Sequence, residues 1–158
     1  MMRLETSRKV MALAAPSSGD SGDDVFSSIE RGTANSLHPR VLIVEDEGLV
    51  AINIESALTE AGFRVTGIVD TEADAVAAAD RLRPDIILMD ITLREGNGIS
   101  AARTILKRVH TRIIFVSGNS DPRTLAAAEE LNTAGFIRKP FITDRFVRLV
   151  WDALPTKN

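Results

Sequence analysis

The sequence predicts an α/β fold in which a parallel sheet is covered by helices on both faces. Three observations carry that prediction. From Val41 onward, short apolar runs alternate with segments of helical period, the pattern that βαβ units produce. The runs "VLIV", "IILM" and "IIFV" are apolar at consecutive positions, as strands buried on both faces are. Two of those runs end in carboxylates: "VLIVEDE" delivers Glu45, Asp46 and Glu47, and "PDIILMD" delivers Asp90. A buried, unpaired carboxylate is expensive, so these acids are expected at the rim of the core.

The elements follow in order. "VLIV" is the first strand. "GLVAINIESALTEAG" is a helix with Val50, Ile54, Ala57, Leu58 and Ala61 on one face and Gly62 as its stop. "RVTGIV" is a second strand, polar enough for an edge. "TEADAVAAADRL" is a helix capped by Thr71, with Pro84 beyond its end. "IILM" is the third strand and "GISAARTILKRV" the third helix. "RIIFV" is the fourth strand. "DPRTLAAAEEL" is a helix with Asp121 at the N-cap and Pro122 at the first helical position. "AGFI" is a short fifth strand, and "TDRFVRLVWDAL" closes the chain as a helix.

Residues 1–38 read differently. Pro16 to Ser36 is rich in Ser, Gly and Asp, and such a segment cannot bury enough surface to offset its ordering entropy. The expected organisation is a flexible extension over 1–38, one domain over 39–154 and a short tail over 155–158. The net charge of −3 gives no reason to expect nucleic acid as a direct partner. With no cysteine and two histidines, His38 and His110, disulfides, thiolate zinc sites and His-rich metal sites are excluded. No apolar run approaches the ~20 residues of a membrane span, so no membrane partner is expected. The apolar part of "RKVMALAAP" is shorter than the usual signal-peptide core of about 7–15 residues, which points to the cytoplasm.

In a parallel sheet the carboxyl ends of all strands lie on one edge, where ligands bind. Glu45 and Asp46, Asp90, Ser117 and Lys139 each follow a different strand, so the fold gathers them into one crevice. Clustered carboxylates repel unless a cation sits among them. Without Cys or His, the implied cation is hard and oxygen-loving, and Mg²⁺ fits best because it takes carboxylates, keeps waters and accepts phosphate oxygens. A carboxylate beside it can attack phosphorus. Lys139 then supplies a point charge for the phosphoryl oxygens, and Ser117 a hydrogen bond.

With these residues in order, the chain resembles the receiver domain of two-component response regulators. The motifs are "VEDE", "DITLREGNG", "FVSG" and "RKPF", and they span Val41 to about Leu154. The resemblance implies a flavodoxin-like, doubly wound sheet of five parallel strands in order 2-1-3-4-5. It implies that Asp90 is the phosphoacceptor and that Glu45, Asp46 and Asp90 are metal ligands, Asp46 more direct than Glu45. It implies that Thr92 offers its backbone carbonyl to the metal and that Ser117 and Lys139 hold the phosphoryl group. Phe136 takes the place of the switch aromatic, Ser117 moves with it, and Lys139–Pro140 is expected as a cis peptide. Implied partners are a sensor histidine kinase or histidine phosphotransfer protein upstream and a protein target downstream. Three departures stand out: Glu45 where Asp is commoner, Arg94 in place of a usual proline, and Gly118 in place of a common alanine.

Two other readings are open. One is a Mg²⁺-dependent phosphatase working through an aspartyl-phosphate, against which stands Thr92 where one such family needs a second Asp. The other is a receiver that binds partners without phosphorylation. Glu47 reads better as a solvated first-turn acid than as a ligand, and "GNG" at Gly96–Gly98 as a turn. With 19 residues after Lys139, a stand-alone receiver is expected. Its closing helix carries an apolar arc of about 200°, broader than the ~100° stripe one buried face requires. Part of the excess, Val147 and Trp151 included, is expected to face outward beside helix four and strand five and to bind a partner or a second copy of the chain.

Overall fold

In the computed structural model, described over residues 38–119 and 121–155, five strands and five helices alternate. They are β1 (Arg40–Val44), α1 (Gly48–Glu60), β2 (Arg64–Val69), α2 (Glu72–Leu82), β3 (Ile86–Met89), α3 (Gly98–Leu106), β4 (Arg112–Ser117), α4 (Pro122–Glu129), β5 (Gly135–Arg138) and α5 (Thr143–Ala153). Every pairing is parallel and the order is β2-β1-β3-β4-β5. The expected flexible extension over 1–38 lies outside the described residues except at His38, whose Nδ1 is 2.9 Å from the Gly62 carbonyl oxygen, and positions 156–158 lie outside them as well.

The apolar runs take the centre. β1, β3 and β4 bury nearly every side chain, and the more polar β2 is an edge. Period-2 alternation sends Leu42, Val44, Ile87, Met89, Ile113 and Phe115 to one face, under α2, α3 and α4. Val41, Ile43, Ile86, Leu88, Ile114 and Val116 go to the other, under α1 and α5. Each face is a continuous apolar layer, and such burial contributes roughly 25 cal/mol per Å² of apolar surface.

The helix starts follow capping chemistry. Thr71 Oγ1 accepts the Asp74 N–H at 3.1 Å, and Asp121 Oδ1 accepts from the N–H groups of Arg123 and Thr124 at 3.1 and 3.0 Å. Asn97 caps α3 through the N–H groups of Ile99 and Ser100. One face expectation shifts: in α1 the buried residues are Ala51, Ile54 and Leu58, while Val50, Ala57 and Ala61 are half-buried. The small Ala51 lies in the buried layer against the sheet with Ile54 and Leu58.

The closing helix distributes its apolar arc over two flanks. Phe146 and Val150 are fully buried, and Val147 is half-buried against the same layer. Trp151 packs on Phe63 with ring centroids 4.4 Å apart. Trp151 is exposed, as expected, but Phe63 immediately precedes β2, the edge opposite β5, so the exposed ring lies away from strand five. The exposed apolar residues near β5 are Ile142 and Leu149, which line a groove with Phe136, Phe141 and Arg145.

A candidate acidic metal and phosphoryl site

The sheet ladder runs one residue past its strands and thereby builds the site. Asp90 N–H donates to the Val44 carbonyl and Glu45 N–H to the Val69 carbonyl, both at 2.9 Å. Lys139 N–H donates to the Ser117 carbonyl at 3.1 Å. Residues 45, 90, 117 and 139 therefore stand on adjacent strand ends, although up to 94 positions separate them in sequence (139 − 45). Glu45, Asp90 and Ser117 are all buried, whereas Asp46 and Glu47 are exposed at the start of α1.

Lys139 is the centre of the arrangement. Its Nζ lies 2.6 Å from Glu45 Oε2, 2.8 Å from Asp90 Oδ2 and 3.7 Å from Glu47 Oε1. The remaining oxygens are also engaged: Glu45 Oε1 accepts the Glu47 N–H at 3.1 Å, and Asp90 Oδ1 accepts the Thr92 N–H at 3.0 Å. Ser117 Oγ accepts the Asn119 N–H at 3.2 Å. Among the described residues no buried side-chain polar atom lacks a partner. The Lys139–Pro140 peptide is cis, and Phe136 is half-buried against the α2–α4 layer.

One ammonium shared by two buried carboxylates leaves an excess negative charge. Burial pushes the Glu45 carboxyl up to about 7, against its bonds from Lys139 and the Glu47 N–H, and the Asp90 charge adds to the rise. Burial pulls Lys139 down, but its bonds to Asp90 and Glu45 outweigh that and hold it above its ordinary value. Lys139 therefore stays charged, and Glu45 is the carboxyl that takes up a proton as pH falls through about 7. A carboxyl raised from 4.5 to about 7 on folding binds protons more tightly in the native state. Its contribution is present below pH 4.5 and is lost as pH rises through about 7. Metal-free protein should thus become less stable between those limits, and Glu45→Gln should flatten the slope; thermal unfolding of both across that range checks it.

Carboxylate oxygens of Glu45, Asp46, Glu47 and Asp90 all lie within 4.8 Å of one another. This donor set is all oxygen and fits a hard divalent cation. Glu47 stands exposed at the start of α1 and within reach of the same cluster. A groove of ≈ 870 Å³ opens over the cluster and runs along α1 past Val50, Asn53 and Ala57 to Phe141. Sequence reasoning missed Gly98: a Cβ there would lie 2.0 Å from the Asp90 carbonyl oxygen. The only signal was a glycine eight residues after the acid.

A doubly wound parallel sheet with an acidic, lysine-bridged pocket at its carboxyl edge is the architecture of receiver-like signalling domains. The family model described as response regulator receiver domain matches residues 41–150. The chain is 36% identical over 109 residues to the chemotaxis protein CheY of Thermotoga maritima, covering 68% of this chain and 91% of that protein. It is 32% identical over 120 residues to the phyllosphere-induced regulator PhyR of Methylorubrum extorquens, covering 75% of this chain but 44% of that protein. The signal receiver domain of a modulated diguanylate cyclase from Desulfovibrio desulfuricans G20 superposes with a TM-score of 0.70 at 35% identity, covering 73% of this chain and 93% of that one. The chain belongs to the response regulator receiver domain family. Over residues 41–150 it is a signalling domain of the kind that catalyses its own phosphorylation and dephosphorylation, and its acidic cluster is of metal-coordinating type. Among the described residues no helix is long and apolar enough to cross a membrane.

Proposed function

We infer that Asp90 accepts a phosphoryl group from a histidine kinase or histidine phosphotransfer protein, that Mg²⁺ assists, and that the phosphorylated state signals by altered protein binding. The observation that carries this reading is the buried Asp90 carboxylate held 2.8 Å from Lys139 Nζ inside the acidic cluster. Glu45, Asp46, Asp90 and the Thr92 carbonyl would hold the ion, with the exposed Glu47 beside them. Bound there, Mg²⁺ offsets charge on the transferring group. Asp90 Oδ supplies the lone pair that forms the new O–P bond, and the bond from phosphorus to the donor nitrogen breaks. Lys139 turns from Asp90 to a phosphoryl oxygen, and Ser117 donates to another.

The open groove along α1 suits a donor carried by a protein rather than a small monoester, which supports the switch over the phosphatase reading. Phosphorylation adds about −2 charge at the site. Ser117 and Phe136 respond as a population shift between two arrangements. The output surface is then the flank of β5, where Phe136, Ile142 and Leu149 offer apolar area to a target or a second copy.

Incubation with a small acyl phosphate and Mg²⁺, followed by intact mass, tests the assignment. A single adduct that forms with Mg²⁺, fails to form under chelation and maps to the peptide holding Asp90 is expected. Sustained phosphate release from varied monoesters would instead establish the phosphatase.

A further inference from the structure

Outside the acidic cluster, Glu72 makes the most unusual set of contacts. It is the first helical residue of α2, after the Thr71 cap. A carboxylate there is favoured by the α2 dipole alone, yet its oxygens are turned toward another helix. Glu72 Oε2 accepts the Asn97 N–H at 2.8 Å and Oε1 accepts the Ser100 hydroxyl. Its own N–H donates to the Glu95 carbonyl at 3.0 Å. A second observation is independent of these bonds. Gly96 has φ +82°, and a Cβ there would lie 2.4 Å from Glu72 Cβ, so the backbone approaches Glu72 as closely as glycine permits.

Those contacts reach the site through one short path. Asn97 pairs with Thr92 in an antiparallel bridge, and Gly98 N–H donates to the Ile91 carbonyl at 2.8 Å, closing the loop after Asp90. Thr92 in turn donates its N–H to Asp90 Oδ1. The neighbouring Arg94–Asp70 ion pair is exposed on both sides and contributes little. Glu72 is thus the charged anchor of a closed loop with Asp90 at one end and the Thr92 carbonyl inside it.

We propose that Glu72 is a positioning residue for the metal and phosphoryl chemistry at Asp90, acting by fixing Asn97 and, through its pairing, the Thr92 backbone carbonyl. The proposal rests on the reading of Asp90 and Thr92 given above. It deepens that reading by placing a controlling residue on a different helix. Partners that orient ligands commonly change metal affinity about 10–100-fold when removed.

The test uses the full chain and the variants Glu72→Ala, Glu72→Gln and Ser100→Ala. Mg²⁺ affinity is read from amide chemical-shift titration, loop order from amide hydrogen exchange at 92–98 without Mg²⁺, and adduct formation from intact mass. Glu72→Ala should weaken Mg²⁺ binding about tenfold and speed exchange at Asn97, while adduct formation recovers at saturating Mg²⁺. Glu72→Gln, whose carboxamide oxygen keeps the Asn97 bond, should recover most of the affinity. Ser100→Ala, which deletes one bond, should shift both readouts the same way and serves if Glu72→Ala does not fold. A drop in thermal stability with Mg²⁺ affinity and loop exchange within about twofold of the parent, below the range for an orienting partner, would make Glu72 merely structural and overturn the proposal. A parent chain that binds no Mg²⁺ overturns it as well. Mg²⁺ binding without any adduct would sink the phosphoacceptor reading and leave the role of Glu72 toward the metal standing.

Discussion

Lys139→Ala should destabilise the protein by about 3–5 kcal/mol above neutral pH, the cost of leaving a buried ion pair without one partner. Lys139 Nζ is the cation for both Glu45 and Asp90, whose side chains are 2% and 5% exposed. Removing it leaves two carboxylates facing each other in a low-dielectric pocket. Below about pH 7 Glu45 carries a proton, so the loss should be smaller at pH 5 than at pH 8. Adding Glu45→Gln to Lys139→Ala should recover much of the stability, because one of the two stranded charges is gone. Mg²⁺ should also stabilise Lys139→Ala more than the parent, since a metal replaces the missing positive charge and binds only the folded site. Phosphorylation should not return in either rescue, because neither restores a donor to the phosphoryl oxygen. Urea denaturation at both pH values, with and without Mg²⁺, gives the comparison. A loss below about 1 kcal/mol at pH 8, typical of a surface ion pair, would mean that Lys139 does not neutralise the pocket.

The site was legible where chemistry sits on a strand end. Asp90 follows "IILM" and Lys139 follows "GFIR" almost directly, and a parallel sheet brings all such ends to one edge. Nothing more than order along the chain was needed to gather Glu45, Asp90, Ser117 and Lys139. What escaped depends on contacts between loops. Glu72 and Ser100 are 28 positions apart, on helices whose relative height the apolar pattern does not set. An acid at the start of a helix has a sufficient local explanation in the dipole, so nothing in the sequence asks for a second one. Trp151 faces outward as its position on α5 predicts, but on the flank away from β5, for a related reason. Its angle around α5 was legible, but which neighbour fills that angle depends on Phe63, a residue between α1 and β2.

The loop glycine gives the sharpest steric prediction. Gly98→Ala should cost about 3 kcal/mol or more, the upper end of what overpacking causes, and should also slow phosphorylation. The backbone at Gly98 is not in the left-handed region, unlike Gly62, Gly96 and Gly135, so conformational freedom is not the reason. The reason is contact: an added Cβ would lie 2.0 Å from the Asp90 carbonyl oxygen and 2.8 Å from Ile91 Cα. Both atoms are backbone and cannot rotate away. Either α3 backs off from the sheet, opening the layer that Ile99 and Ala102 help fill, or the chain at Asp90 shifts and takes the carboxylate off the Lys139 axis. The first route lowers stability and the second lowers reactivity, so both readouts should move together. Gly118→Ala is the control, because a Cβ there meets nothing within 4 Å and should change stability by less than about 0.5 kcal/mol, as surface substitutions do. Equal denaturation midpoints for the two variants would show that α3 does not press on the phosphoacceptor strand as closely as described.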